Sequence, residues 1–329
     1  MALKIAVLDD YAAVSRSYAD WPKGDSVTVF AEAMTGRSAL AETLAPFDII
    51  CVMRERTPLD AALIGALPRL KLIVTTGARN LSIDTEAAAA RGVVVCGTES
   101  RGSTTAEFVM ALILALARRI PAEANAATSG LWQQGIGRDL HGLTLGIAGY
   151  GRIGRKLAAL ARPFGVEILA WSRSLTPDVA AAEGVRHAAN LDGLLAGSDI
   201  VSVNLVLSDS TRGLFGAREF AMMRPDALFV NTSRGPIVQV PPLLEALRAN
   251  QLAGAALDVH DTEPLPQGAP VLDANLIASG RLLVTPHLGY VSEQTFRMFY
   301  RQTVEAIEAW KAGAPIRVIG PGTQATPTT

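Results

Sequence analysis

Two textures repeat along this chain. Short β-branched runs are followed, again and again, by Ala/Leu-rich stretches with helical spacing. A strand-then-helix repetition predicts parallel sheets covered by helices on both faces, an α/β protein. In the N-terminal part the predicted strands are 4–8, 27–30, 49–53, 70–75 and 92–96. Helical patterns lie between them, including 57–67, opened by Thr57-Pro58 as cap and first turn, and 84–91. A loop over 97–103 leads into a long apolar helix, 104–119. A second series of strands follows at 143–148, 167–171, 199–203, 227–231, 255–259 and 281–285. A helical segment at 293–312 remains after the last of these, and its economical place is back on the first series. The Gly/Pro/Thr-rich end, 320–329, reads as frayed.

The run Gly149-Tyr150-Gly151-Arg152-Ile153-Gly154 sits directly after the strand at 143–148 and opens an amphipathic stretch, 155–164. Strand, glycine turn and helix start together form a dinucleotide-binding signature. Gly149 allows the tight turn, Gly151 lets the backbone approach a pyrophosphate, and Gly154 lets helix and strand pack closely. The amides that follow, those of Arg152 and Ile153 included, lie at the positive end of the helix dipole. A carboxylate for the adenosine ribose is expected about 20 residues on. The strand at 167–171 ends instead in Ser172-Arg173-Ser174. Ser172 does not repel a 2′-phosphate and Arg173 offers it a charge partner, so the pattern leans towards NADP(H) or dual use of NAD(P).

Composition narrows the partners. A chain of 329 residues, 49% hydrophobic and 19% charged, has room for two full cores. A formal net charge of -1, with Lys and Arg scattered, gives no electrostatic case for nucleic acid or an anionic membrane. The N-terminus has no signal-peptide core, and the apolar stretch 106–117, closed by Arg118-Arg119, is too short to span a bilayer. Cys51 and Cys96 lie in β-type runs and read as buried free thiols of a cytoplasmic protein. No metal site is read.

Further motifs stand in fixed order around the glycine loop. They are Thr76-Gly77-Ala78-Arg79-Asn80 before Ile83-Asp84, then Thr105-Ala106-Glu107. After the loop come Asn231-Thr232-Ser233-Arg234-Gly235, Ala256-Leu257-Asp258-Val259, Glu263-Pro264-Leu265-Pro266 and Thr285-Pro286-His287-Leu288-Gly289. On these the chain resembles the D-isomer-specific 2-hydroxyacid dehydrogenase family over residues 45–310. The resemblance implies two domains, each an open parallel sheet with flanking helices: a Rossmann-type cofactor domain and a flavodoxin-like substrate domain, with substrate in the cleft. The expected division is a substrate (catalytic) domain of 1–102 completed by 287–329, and an NAD(P)-binding domain of 103–286, with chain crossings near Gly102 and near 286–289.

The resemblance also implies roles. Arg234 is the cation for substrate carboxylate and carbonyl, a task that suits its planar fork. His287 is the proton donor or acceptor, since an ordinary imidazole titrates at about 6.5, and Glu263 orients it. Asp258, Thr105, Thr232 and Ser233 fall on the nicotinamide side of the cofactor site. Gly77 and Ala78 match a loop whose amides hold the substrate carboxylate, and Arg54 matches an arginine near the substrate's distal group. His141 and His187 receive no role. His260 stands where the family often carries an aromatic and is expected to pack or line.

Three departures from the family pattern touch the adenine rim, a helix start and the substrate loop: Asn204-Leu205-Val206 in place of His-x-Pro, 236–242 where an acid is common, and Arg79 in place of Asp. The expected function is hydride transfer between NAD(P)(H) and a small 2-keto or 2-hydroxy acid, of the glyoxylate/hydroxypyruvate reductase type. The expected assembly is a homodimer formed through 118–141 and the helix before it. A cofactor-sensing, corepressor-like binding protein on the same fold is the alternative.

Overall fold

The computed structural model describes residues 2–34 and 36–321; most of the end expected to fray, 322–329, lies outside them. The chain divides into two compact units, Met1–Arg101 with Ser292–Thr329, and Gly102–Val291.

The first unit is a parallel sheet of β1 (Lys4–Val7), β2 (Ser26–Val29), β3 (Ile49–Val52), β4 (Leu72–Thr75) and β5 (Val94–Gly97), in the order β2-β1-β3-β4-β5. This is the flavodoxin-like order, whose switch point lies between β1 and β3. Central strands β3 and β4 are buried along their whole length, while the edge strand β2 alternates exposed and half-buried positions, as helices on both faces require. Helix Glu293–Lys311 belongs to this unit and packs against β4 and β5. Ser292 caps it by accepting from the Thr295 amide. Phe296, Phe299, Tyr300, Thr303 and Ile307 form its buried stripe.

The helix expected at 57–67 is shorter and starts later. It spans Ala61–Gly65, and its cap is Asp60, which accepts from the Leu63 amide. Thr57 donates its hydroxyl to Asp9 Oδ2 at 2.7 Å instead.

The second unit is a seven-stranded parallel sheet: β6 (Thr144–Ala148), β7 (Glu167–Trp171), β8 (Arg186–His187), β9 (Ile200–Val203), β10 (Leu228–Asn231), β11 (Gly254–Leu257) and β12 (Leu282–Val284). Its order is β12-β11-β10-β9-β6-β7-β8. Strands run outward in both directions from the β6/β9 pair, the Rossmann order with its switch point at that pair. The two-residue β8 is a strand the sequence pattern does not reveal.

Apolar clusters cover both faces of this sheet. One is built on helices Gly102–Ala117 and Arg152–Ala161, the other on Phe215, Phe220 and Phe229 with helix Val240–Arg248. Helix Gly102–Ala117 touches helix Arg152–Ala161, β10 and β11, which accounts for its being apolar nearly all round.

Candidate active site

In the second unit every residue given a role from the sequence falls at or beyond a strand's carboxyl end or at the start of helix Gly102–Ala117. That edge is where open parallel sheets bind ligands. The glycine loop leaves β6 at the switch point. Gly149 has φ +100°, its amide donates to Trp171 O at the end of β7 (2.8 Å), and the Asn204 amide donates to Ala148 O (2.7 Å). A Cβ on Gly149 would lie 2.5 Å from Asn204 O, and one on Gly154 2.5 Å from Gly149 O. Gly151 is different: a Cβ there would meet nothing within 4 Å. Gly149 and Gly154 are required by the fold, whereas Gly151 keeps an approach open. Gly151 also begins helix Arg152–Ala161 without a side-chain cap. Arg152 and Ile153 form the first turn with Gly154, and the amides of this turn have no partner within the helix. The cradle therefore fits a pyrophosphate.

Ser172 is half-buried at the end of β7, and Arg173 is exposed with Nη1 3.3 Å from Ser210 Oγ. The hydroxyls of Ser208 and Ser210 lie 3.0 Å apart beside it. Position 172, at the end of β7, carries a hydroxyl and no carboxylate, while the exposed Asp209 lies between the two serines.

Beyond β10, Thr232 and Ser233 are buried. The Ser233 hydroxyl donates to Val203 O (2.8 Å), and Asn231 Oδ1 accepts from the Ser233 amide (3.0 Å). The turn so fixed presents Arg234, half-buried, with Nη1 donating to Ser233 O at 2.7 Å.

β11 ends at Asp258, which is fully buried. Its Oδ1 accepts from Thr285 Oγ1 (2.6 Å) and the Leu288 amide (2.7 Å), and its Oδ2 from the Gly289 amide (2.8 Å). A Cβ on Gly289 would lie 3.1 Å from Asp258 Oδ2 and 3.5 Å from Thr105 Cγ2, so the three residues are neighbours. Burial pushes the Asp258 carboxyl above the usual carboxylate range, against the opposing pull of these hydrogen bonds and of His287. One carboxylate thus pins the chain on both sides of His287, which sits in the left-handed region at φ +57°.

His287 Nδ1 lies 2.6 Å from Glu263 Oε2, with both side chains about one-fifth exposed. A carboxylate oxygen accepts, so Nδ1 carries the proton and Nε2 is the ring's other exchange site. The Tyr290 ring meets the imidazole edge-on, centroids 5.4 Å apart. His260, expected to pack or line, is also tied to this pair. Its amide donates to Glu263 Oε1 (2.9 Å), and its Nε2 lies 2.9 Å from Thr285 O. No local pattern marks it in the sequence.

In the first unit, Arg54 follows β3 at φ +53° and Gly77 follows β4 at φ +96°. A Cβ on Gly77 would lie 2.0 Å from Arg54 Nη1, so glycine is what lets the guanidinium lie over this loop. The Arg54 amide donates to Thr76 Oγ1 (2.9 Å), and Asn80 Nδ2 donates to Arg54 O. The Gly77 amide is engaged by Thr98 Oγ1 at 2.8 Å. Ala78 is exposed beside it. His141 and His187 lie elsewhere; His187 Nε2 meets Leu175 O at 3.1 Å.

A seven-stranded sheet of this order, with a glycine turn and a helix start at its switch point, defines a dinucleotide-binding α/β domain. Residues 110–289 match the profile of the D-isomer specific 2-hydroxyacid dehydrogenase, NAD binding domain. The chain is 31% identical over 307 residues to D-3-phosphoglycerate dehydrogenase of Archaeoglobus fulgidus, covering 92% of this chain and 57% of that protein. It is 35% identical over 265 residues to glyoxylate reductase of Aeropyrum pernix, covering 78% and 77%. A solved structure of phosphoglycerate oxidoreductase from Vibrio cholerae superposes with a TM-score of 0.87 at 36% identity, covering 95% of this chain and all of that one (100%). The chain belongs to the D-isomer-specific 2-hydroxyacid dehydrogenase family and is an oxidoreductase with a nicotinamide cofactor domain. Among the described residues no helix is long and apolar enough to cross a membrane.

Proposed function

We propose that this protein reduces a small 2-keto acid of the glyoxylate or hydroxypyruvate type, or oxidises the corresponding D-2-hydroxy acid, with NAD(P)(H). The observation that carries the reading is the 2.6 Å contact of His287 Nδ1 with Glu263 Oε2 on the sheet edge that also bears Arg234. Arg234 binds the substrate carboxylate and polarises the carbonyl oxygen. His287 delivers a proton to that oxygen from Nε2, and Glu263 holds the ring and balances its charge. The bound nicotinamide supplies the hydride to the keto carbon. Asp258, Thr105, Thr232 and Ser233 line the nicotinamide side.

The first unit is the substrate domain in this reading. Arg54 meets the distal group, and the Gly77-Ala78 loop takes the carboxylate. Thr98 already engages the Gly77 amide, so the Ala78 amide does most of this binding.

The cofactor is NADP(H) in preference to NAD(H). The support is Ser172 and Arg173 in place of a ribose-binding acid, next to the hydroxyls of Ser208 and Ser210. The protein is cytoplasmic and a homodimer. The segment expected to join two copies exposes Leu131, Trp132 and Ile136, Ile136 being 96% accessible.

The test is kcat/KM for NADPH and NADH with glyoxylate, hydroxypyruvate and then larger keto acids. Oxidation of the cofactor, faster with NADPH, is the expected result. Failure to oxidise either cofactor with any keto acid overturns the reading.

A further inference from the structure

Arg234, Glu263 and His287 reach the sheet edge from three separate stretches of chain. A fourth residue touches all three stretches. The backbone carbonyl of His260 is so close to Gly235 that a Cβ on that glycine would lie 2.4 Å from the His260 oxygen and 2.2 Å from its carbonyl carbon. Gly235 directly follows Arg234. The His260 amide donates to Glu263 Oε1 at 2.9 Å, the oxygen that does not face His287. Its Nε2 lies 2.9 Å from the carbonyl of Thr285, two residues before His287. A carbonyl only accepts, so this ring nitrogen is the donor and the tautomer is fixed by the contact.

We propose that His260 is a positioning residue that ties the arginine turn, the glutamate and the histidine turn into one rigid arrangement. The proposal rests on the functional reading above but adds a residue that reading does not use. The physical case is that His287 sits at φ +57°, a conformation that must be held by its surroundings. Asp258 holds that turn through Thr285 Oγ1 and the Leu288 and Gly289 amides. The Thr285 carbonyl accepts from the His287 amide within the turn (3.0 Å) and, in addition, from His260 Nε2 (2.9 Å). The side chain at 260 thus fixes the entry to the His287 turn, while the backbone at 260 fixes Glu263. Buried at 8% exposure, the imidazole forms this bond with little competition from water. An aromatic hydrocarbon ring in the same space would fill it and lose the bond.

The test compares His260→Phe, His260→Gln and the wild type, with His187→Phe as a control that loses an imidazole-to-carbonyl contact away from the site (His187 Nε2 to Leu175 O, 3.1 Å). Two readouts are taken on the full chain: steady-state kinetics with glyoxylate and NADPH, and the imidazole N–H signal of His287 in 15N-histidine-labelled protein. His260→Phe is expected to lower kcat roughly ten- to a hundredfold with KM for NADPH unchanged, and to shift or broaden the His287 Nδ1–H signal. His260→Gln, whose amide nitrogen still donates to Thr285 O, is expected to recover most of both. His187→Phe is expected to change neither.

An unshifted His287 signal in His260→Phe overturns the proposal, whatever the substrate. So does an unchanged kcat in that variant, or a His260→Gln variant no better than His260→Phe. A wild-type protein inactive on every keto acid removes the functional reading instead, and the His287 signal then decides the structural tie alone.

Discussion

Glu263 Oε2 accepts from His287 Nδ1 at 2.6 Å while Glu263 Oε1 accepts from the His260 amide at 2.9 Å, so both oxygens of one carboxylate are committed. The glutamate cannot swing away from the ring without losing a backbone bond. His287→Ala is therefore expected to lower turnover roughly 10²- to 10⁴-fold, the usual worth of a positioned acid–base group, with cofactor affinity retained. Glu263→Gln keeps the size of the side chain but loses the charge and one acceptor. Its expected loss is smaller, on the order of ten- to a hundredfold. Paired measurements of kcat and of NADPH binding by fluorescence check both. A His287→Ala enzyme with wild-type kcat would remove the histidine from the chemistry.

Ser172 stands where a carboxylate would hold the ribose hydroxyls of NADH, and Arg173 reaches towards Ser210 Oγ at 3.3 Å. Ser172→Asp places a like charge against a 2′-phosphate. The expected outcome is a shift of the NADPH/NADH ratio of kcat/KM towards NADH on the order of a hundredfold. If the ratio stays where it is in the wild type, the 2′-phosphate does not bind at Ser172 and Arg173.

Most strands are legible in the sequence because a parallel strand covered on both faces is a continuous apolar run: Ile49–Val52, Leu72–Thr75 and Ile200–Val203 are buried at every position. β8 is not, because two residues at a sheet edge, Arg186 exposed and His187 half-buried, carry no such run. Thr57-Pro58 has the form of a helix start, but the Thr57 hydroxyl is taken by Asp9, 48 residues away, and Asp60 caps the helix instead. The same limit applies at the site. Arg234, Glu263 and His287 lie in ordered motifs and can be singled out. His260 acts through one backbone amide and one long-range ring contact, neither of which leaves a trace in local spacing.

Gly149 and Gly151 belong to one motif, yet they answer to different constraints. At φ +100°, with Asn204 O 2.5 Å from a would-be Cβ, Gly149 has neither the backbone freedom nor the space for a side chain. Gly149→Ala is expected to lower the stability of the apoprotein by roughly 2 kcal/mol or more. Gly151 has φ -93° and open space around it. Gly151→Ala is expected to leave apoprotein stability within about 0.5 kcal/mol while weakening cofactor binding about tenfold or more, since the methyl group occupies the approach to the helix N-terminus. Thermal melts without cofactor and NADPH titrations separate the two. A Gly151→Ala protein that binds as tightly as wild type would move the pyrophosphate elsewhere.

Asp9, at the end of β1, carries a prediction about stability. It is buried at φ +58°, accepts from Thr57 Oγ1 at 2.7 Å and Tyr11 Oη at 3.0 Å, and lies within the field of Arg56. Burial is the largest influence and raises its carboxyl above the ordinary range, outweighing the two hydroxyl donors and the arginine. A carboxyl whose folded value is raised binds its proton more tightly in the native state than in the unfolded chain. Its contribution is therefore most favourable below the unfolded value and declines as pH rises through the interval up to the folded value. At neutral pH the native state carries a charge that its surroundings disfavour. Asp9→Asn removes that charge, keeps an oxygen acceptor for one of the two hydroxyls while the other can accept from the new Nδ2–H, and suits the left-handed backbone. The variant is expected to be more stable than wild type at pH 7, with the difference shrinking as pH falls from the raised folded value to the ordinary carboxylate range and levelling off below it. Urea unfolding of the two proteins across that pH span checks the sign; a variant less stable than wild type at pH 7 would mean that the charge of Arg56 and the hydroxyl donors, and not burial, govern Asp9.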